Sequence, residues 1–237
     1  MPRVNKFPVW TRLVAIDSAL LSRGLFLILA TLILITFDDY GVSWDEQVQN
    51  IYGHDLLSFY MSDFHDQSAF HFLNLKYYGG AFDLVAAILN SFSPFGEYET
   101  RHLLGGLIGL TGFFGAWRLG RLLGGERGGL FVLLALALTP LLYGHNFINP
   151  KDAPFAWALL WSVYYICRAI RELPKPRFGT ALGLGVALGL AMGTRVVGVI
   201  VLSYGAPAFS AYVVSRYRIT GSARDTLGEV GRLTMAL

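Results

Sequence analysis

Two neighbouring carboxylates, Asp45 and Glu46, stand in the segment SWDEQVQNIYGHD, a few residues after the first long apolar run of the chain. Paired carboxylates at this position could act as a general base, orient an acceptor hydroxyl or hold a divalent cation. The same residues are also typical of a helix start, in which Ser43 caps the helix and both acidic groups complement its N-terminal dipole. Spacing alone leaves both interpretations open.

A second polar group lies in the segment HNFINPKDAPF, between two later apolar runs. Lys151 could contact a lipid phosphate at headgroup depth, and Asp152 could orient that lysine or cap the following helix. Asn-Pro and Asp-Ala-Pro are also ordinary turn and helix-start signals. In that case the Lys-Asp neighbours would simply neutralise each other.

Three further cations, Lys76, Arg101 and Arg195, could converge on a phosphate or pyrophosphate, because arginine suits bidentate binding of such groups. Alternatively, Arg101 snorkels at the end of an apolar run and Lys76 is solvated. Arg195 separates two apolar runs, where an unpaired guanidinium would be costly, and this favours a functional role. No pair of histidines has a metal-ligand spacing, so the sequence does not identify a metal.

The composition excludes an ordinary soluble domain. Of the 237 residues, 54% are hydrophobic and only 15% are charged, and the mean hydropathy is +0.49. About a quarter of the residues in a soluble protein are charged. The single cysteine, Cys167, cannot form an internal disulfide. We therefore predict an integral membrane protein, with no nucleic-acid partner.

The long apolar runs predict membrane-spanning helices, each of which needs about 20 residues to cross the hydrocarbon core. We count six spans in one transmembrane domain over residues 1–237, with five as the nearest alternative. The last two are either separate short spans or one long, broken span. The predicted spans are 19–37, 102–117, 130–147, 153–167, 178–194 and 196–214.

The distribution of charge predicts the orientation. Four basic clusters alternate with segments poor in cations, and basic loops face the cytoplasm. Six spans with a cytoplasmic N terminus satisfy this pattern, which places the acidic loop 38–100 outside, in the periplasm of a bacterium. The clusters contain Arg3, Lys6, Arg12 and Arg23; Arg118, Arg121 and Arg127; Arg168, Arg171, Lys175 and Arg177; and Arg216, Arg218, Arg224 and Arg232.

Two stretches of the long outer loop are typical of helices that lie along a membrane surface. In 44–60, apolar residues recur at helical spacing and polar residues fill the other face. The stretch 77–92 is too short and too polar for a confident span. The predicted fold is thus an all-α, polytopic membrane helix bundle with interfacial amphipathic helices in a long first outer loop.

The order of these features resembles the N-terminal part of a C-type (GT-C) membrane glycosyltransferase. An acidic pair opens the first outer loop, a span then begins at Arg101 and ends in LGRLLGG, and a later turn reads NPKDAPF. The protein O-mannosyltransferases and the aminoarabinose transferases of lipid A have a similar arrangement. The resemblance covers most of residues 15–215.

This resemblance implies inverting transfer of a sugar from a polyprenyl-phosphate carrier to a glycan, lipid or protein acceptor at the outer face of the bacterial inner membrane. It implies that Asp45, with Glu46 beside it, acts on the acceptor, and that the remaining candidates contact the donor phosphate: Lys76, Arg101, Lys151, Asp152 and Arg195. No cofactor follows from it, and a divalent cation stays open. Members of the family continue for several more spans, so we expect this chain to be incomplete at its C terminus relative to them.

Two other functions fit the same charges. A transporter or flippase of an anionic lipid or solute would also need outer cations, although the chain lacks the two matching halves common in transporters. A non-catalytic scaffold could use the acidic loop as a docking surface.

Overall fold

The computed structural model describes residues 17–222 and residue 228, and every regular element within them is helical. The basic residues predicted to mark the cytoplasmic termini lie partly outside this range: Arg3, Lys6, Arg12, Arg224 and Arg232. The α-helices are α1 (Ser18–Thr36), α2 (Glu46–Met61), α3 (Ser68–His71), α4 (Ala81–Asn90), α5 (Glu97–Ala137), α6 (Pro140–Ile148), α7 (Asp152–Glu172), α8 (Phe178–Thr194) and α9 (Val201–Thr220). Short 3₁₀ turns occupy Leu75–Tyr77 and Val196–Ile200.

Several of these helices are suited to a bilayer. Four stretches are long and apolar enough to cross it, namely α1, α5, α7 and Val196–Ile219, while α4 and α8 are shorter apolar helices. This confirms the predicted all-α membrane bundle. The number and orientation of the spans remain predictions.

Helix α5 is a hairpin of two arms rather than one straight helix. Gly124 and Gly125 interrupt the helical dihedrals, and Gly125 has a φ of +66°, which glycine adopts without steric cost. The returning arm packs against the first, because a Cβ on Gly128 would touch the carbonyl oxygen of Gly120. The basic segment with Arg118, Arg121 and Arg127 therefore reverses in a tight turn at Gly124 and Gly125.

The predicted span 130–147 is divided between α5 and α6. Helix α5 ends at Ala137, and Thr139 is extended (φ −96°, ψ 97°) before α6 begins at Pro140. Proline has no backbone N–H and disfavours helical dihedrals at the preceding residue, so the break falls directly before it.

The bundle core forms where α1, both arms of α5 and α7 meet. Leu29, Phe113, Leu133 and Trp157 are buried together there. Glycines allow the helices to approach closely: a Cβ on Gly105 would overlap the backbone carbonyl oxygen of Asn146 in α6. Small residues play this role at helix contacts in membranes.

The loop predicted to face outward carries α2 and α4, within the stretches expected to be helical at 44–60 and 77–92. The two helices pack directly on each other, since a Cβ on Gly53 would touch the backbone carbonyl of Asp83. Gly79 lies even closer to the backbone carbonyl of Gly193 at the end of α8. The loop therefore packs onto the end of the bundle where α8 ends and α7 begins.

Arg195 lies at the turn between α8 and α9. Its backbone is extended (φ −144°, ψ 131°), and the following 3₁₀ turn folds back so that Gly198 lies against the backbone of Ala191 and Met192. Residues 178–214 therefore form two separate helices.

Candidate functional site

A polar cavity of about 190 Å³ lies at the end of the bundle covered by the long loop. Four of the predicted site residues line it: Asp45, Lys151, Asp152 and Arg195. They come from the start of α2, the α6–α7 turn and the end of α8. The fold thus brings together residues that are up to 150 positions apart in the sequence. Of the three cations predicted to converge, Lys76, Arg101 and Arg195, only Arg195 lines this cavity.

Asp45 and Glu46 are adjacent in sequence but do not face the same site. Asp45 is exposed at the polar cavity, whereas only 1% of Glu46 is exposed. The carboxylate of Glu46 accepts a hydrogen bond of 2.6 Å from the backbone N–H of Ser43, and its other oxygen lies 2.9 Å from Nε2 of His102. Glu46 therefore ties the start of α2 to the first arm of α5 and fixes the loop that presents Asp45.

The alternative of a helix cap at Ser43 is wrong in its main detail. The Ser43 hydroxyl donates to the backbone carbonyl of Ile148 at 2.7 Å, and the N-cap of α2 is Asp45, with no side-chain cap bond. Ser43 instead joins the loop to the end of α6. Glu46 does lie in the first turn of α2, where its charge complements the helix dipole.

Arg101 is buried and paired, and it does not line the polar cavity. Its Nη2 donates to Asp83 at 2.6 Å, and the two side chains are only 1% and 2% exposed. Burial raises the pKa of Asp83 to about 6, although the charges of Arg101 and Lys151 act in the opposite direction. The pair is therefore held together against a substantial desolvation cost.

Gln49 connects this buried pair to the cavity. With its side-chain amide oriented to satisfy both neighbours, Gln49 donates to Asp83 at 2.8 Å and accepts from Nζ of Lys151 at 2.6 Å. The ammonium group of Lys151 also lies 4.8 Å from the centre of the Tyr78 ring. Asp83 and Gln49 thus link Arg101 to Lys151 by a chain of hydrogen bonds.

The α6–α7 turn presents Lys151 and Asp152 as the sequence predicts. The side-chain oxygen of Asn149 accepts from the backbone N–H groups of Lys151 (3.3 Å) and Asp152 (2.8 Å), which fixes the turn. Asp152 forms an ion pair with Arg195, and the two side chains are 63% and 29% exposed. The segment is a structured turn, as its turn signals predict, and both charged side chains line the cavity. Asp152 pairs with Arg195 rather than with Lys151, and the contact of Lys151 with a lipid phosphate stays a prediction.

Lys76 is not part of this arrangement. It is exposed beside the Tyr77 ring, 5.5 Å from the ring centre, and it does not line the polar cavity. Within residues 17–222 its side chain makes no hydrogen bond or ion pair.

Three buried polar residues were missed in the sequence analysis: Gln49, Asp83 and His102. For Asp83 a signal was present, because an acidic residue inside the apolar segment AFDLVAAILN requires a partner. His102 directly follows Arg101, and helical spacing alone could not predict that it meets Glu46. In the part of the chain that the structure describes, no three histidine, cysteine or acidic side chains converge to hold a metal ion.

An apolar groove of about 190 Å³ runs beside the polar cavity, between α4, α5, α7 and α8. Phe82, Trp157 and Thr194 line it, and Thr194 directly precedes Arg195 of the polar cavity. A second apolar cavity, of about 430 Å³, shares Trp161 and Leu190 with the groove and extends it along α7 and α8. A charged pocket and an apolar groove thus lie side by side.

Comparison with known families gave one match. Residues 83–227, more than half of the chain, match the model of the dolichyl-phosphate-mannose-protein mannosyltransferase family. The match begins at Asp83 and includes Arg101, Lys151, Asp152 and Arg195, while Asp45 lies before it. Searches of curated proteins and of solved structures gave no significant match. The chain belongs to the dolichyl-phosphate-mannose-protein mannosyltransferase family, a family of membrane glycosyltransferases.

Proposed function

We propose that the protein transfers a sugar from a polyprenyl-phosphate carrier to an acceptor at the outer face of the membrane, with inversion at the anomeric carbon. The observation that carries this proposal is the polar cavity, in which two carboxylates and two cations lie beside an apolar groove. A polyprenyl-phosphate sugar has the matching parts, an anionic head and an apolar tail. The acceptor is a glycan, a lipid or a protein.

Asp45 is the proposed base. It is exposed at the cavity and has no ion-pair partner among the described residues, so its carboxylate is free to accept the proton of an acceptor hydroxyl. The acceptor oxygen then forms a bond to the anomeric carbon, while the bond from that carbon to the phosphate oxygen breaks. The bonding electrons leave with the lipid phosphate.

Lys151 and Arg195 are the proposed contacts for the departing phosphate, whose negative charge increases as the bond breaks. A positioned cation stabilises such charge more in the transition state than in the bound donor. Arg101 and Glu46 support the site indirectly, Arg101 through Asp83 and Gln49, and Glu46 through Ser43 and His102. Lys76 has no role in the proposed transfer.

The orientation follows the charge pattern. We place the N terminus in the cytoplasm and the loop 38–100 in the periplasm of a bacterial inner membrane. Arg118 and Arg168, from two predicted cytoplasmic clusters, line one cavity at the opposite end of the bundle, which supports this assignment.

The test separates binding from chemistry. The protein in nanodiscs is supplied with a polyprenyl-phosphate mannose, and lipid binding and sugar transfer are measured for wild type, Asp45→Asn and Lys151→Ala. Loss of a general base costs about 10²–10⁴-fold in rate, so Asp45→Asn should bind the lipid normally and lose transfer by that factor. Lys151→Ala should weaken lipid binding.

Asp39→Asn is the matched control, because Asp39 is an exposed acid in the same loop. It should resemble wild type in both measurements. Transfer by Asp45→Asn at the wild-type rate would refute the assignment of the base. Lipid binding without transfer by any folded form would favour a transporter or flippase, and no binding would favour a scaffold.

A further inference from the structure

A second polar cavity lies at the opposite end of the bundle, where the first arm of α5 and helix α7 end. Its volume is about 530 Å³, and we call it the basic cavity. Four arginines line it, Arg118, Arg121, Arg168 and Arg171, together with the single carboxylate of Glu172. Positive charge therefore exceeds negative charge, and the proposed sugar transfer makes no use of it.

A buried tyrosine draws two of these arginines together. Tyr164 is 3% exposed, and its hydroxyl oxygen accepts from Nε and Nη2 of Arg118 at 3.1 and 2.7 Å. The same oxygen lies 3.4 Å from Nη1 of Arg168. Two positive groups around one neutral oxygen repel each other. An anion between them would convert this repulsion into attraction.

Neighbouring groups hold the guanidinium planes in place. Arg118 lies over the rings of Phe114 and Tyr164, at 5.7 and 5.4 Å from their centres. Nε of Arg168 donates to Glu172 at 2.9 Å. Fixed guanidinium forks bind phosphate with two parallel hydrogen bonds and lose little entropy in doing so.

Aromatic side chains beside the cavity indicate its depth. Arg121 lies over the ring of Trp117, 4.5 Å from its centre, and Tyr164 lines the cavity itself. Tryptophan and tyrosine concentrate at the headgroup level of membranes. A phosphate in the basic cavity would therefore lie at that level, with apolar helix surface next to it.

We propose that the basic cavity binds the phosphate of one anionic phospholipid from the leaflet on that side. Basic pockets between membrane helices are suited to such headgroups. The ordinary alternative is that the arginines only set the orientation of the chain, in which case their positive charge matters and their geometry does not. A soluble phosphate would share the headgroup's chemistry, so the experiment must separate the two sources.

The experiment changes the hydrogen-bonding geometry of the cavity cations and keeps their positive charge. Arg118→Lys/Arg168→Lys preserves both positive charges but removes the guanidinium forks. Arg127→Lys/Arg177→Lys is the matched control, because these exposed arginines lie on the same side and do not line the cavity. Native mass spectrometry counts the phosphatidylglycerol or phosphatidylcholine molecules that stay bound when the protein is released from detergent micelles.

Wild type and the control should each retain one phosphatidylglycerol in preference to phosphatidylcholine. The Arg118→Lys/Arg168→Lys variant should bind phosphatidylglycerol about tenfold more weakly, because it loses two bidentate contacts. Tyr164→Phe, which removes only the hydroxyl that gathers the arginines, should weaken binding in the same direction and serves if the lysine variant fails to fold.

Three results would overturn the proposal: equal retention by wild type and both cavity variants, no preference for phosphatidylglycerol over phosphatidylcholine, or displacement of the lipid by millimolar inorganic phosphate. The last result would identify a soluble phosphate as the ligand. None of these outcomes depends on sugar transfer, so failure here leaves the proposed function untouched.

Discussion

Replacement of Arg101 by methionine tests whether the buried ion pair supports the site. Methionine fills much of the same volume but leaves the Asp83 carboxylate, 2% exposed, with Gln49 as its close partner. Removal of one member of a buried pair costs about 3–5 kcal/mol of unfolding free energy. Because Asp83 keeps its hydrogen bond to Gln49, we expect the lower end of this range, a loss of about 3 kcal/mol of unfolding free energy at pH 8.

The size of this loss should depend on pH. In the folded wild type the pKa of Asp83 is about 6, above its ordinary value of 3.8, and loss of Arg101 raises the pKa further. A carboxyl group with a raised pKa binds its proton more tightly when folded, so it adds stability as pH falls through the folded pKa. At pH 5 the carboxyl is protonated with or without Arg101. The stability deficit of Arg101→Met at pH 5 is then smaller than at pH 8. The decrease is about 1.4 kcal/mol for each unit by which the pKa of Asp83 in the variant exceeds that in wild type.

The assay is unfolding in mixed detergent micelles at pH 5 and pH 8, followed by tryptophan fluorescence. Lys76→Met is the control, because Lys76 is exposed and outside the site, and it should lose almost nothing at either pH. Arg101→Met/Asp83→Asn, which leaves no buried charge at this pair, should regain most of the stability and lose the pH dependence. An Arg101→Met deficit of the same size at both pH values would refute the account of an uncompensated carboxylate.

Two further predictions concern the start of α2 and the α5–α6 contact. In Glu46→Gln the side-chain amide can accept hydrogen bonds at only one of its two terminal atoms, so the variant should lose about 1–3 kcal/mol of stability. It should also transfer sugar more slowly while polyprenyl-phosphate binding persists. Normal stability in the unfolding assay would contradict the role of Glu46 as a tether. Gly105→Ala forces a methyl group against the backbone of α6 and should cost about 1–3 kcal/mol of stability. Gly144→Ala, inside α6 with open space around the new methyl group, should cost nothing in the same assay and should add about 0.5–1 kcal/mol.

Local patterns predicted most of the helices. The apolar runs at 19–37 and 178–194 correspond to α1 and α8, because a long apolar segment in lipid can satisfy its backbone only as a helix. The break before Pro140 had a sequence signal. The hairpin at Gly124 had only a weak one, since two glycines in a basic stretch do not reveal how sharply the chain reverses.

The site was predictable in part. Charged residues next to a turn, such as the half-buried Lys151 and the exposed Asp152, line the polar cavity because the turn fixes their position. The roles of Arg101 and Glu46 could not be predicted, because each depends on a partner from another element, Asp83 for Arg101 and His102 for Glu46. Long-range pairs of this kind arise from how α2 and α4 pack on α5, and no spacing within one segment records that packing.

The charges at the polar cavity suggest an order of events when a donor binds. Asp45 and Asp152 balance Lys151 and Arg195, so an incoming phosphate must compete with a carboxylate for a cation. Asp152 is the one that can yield, because its side chain is 63% exposed and an exposed ion pair contributes little stability. Lys151 is held by Gln49 and Tyr78 and offers a fixed contact. We therefore expect the phosphate to meet Lys151 first and then to take Arg195 from Asp152, which would free a second carboxylate near the acceptor without moving the buried Arg101.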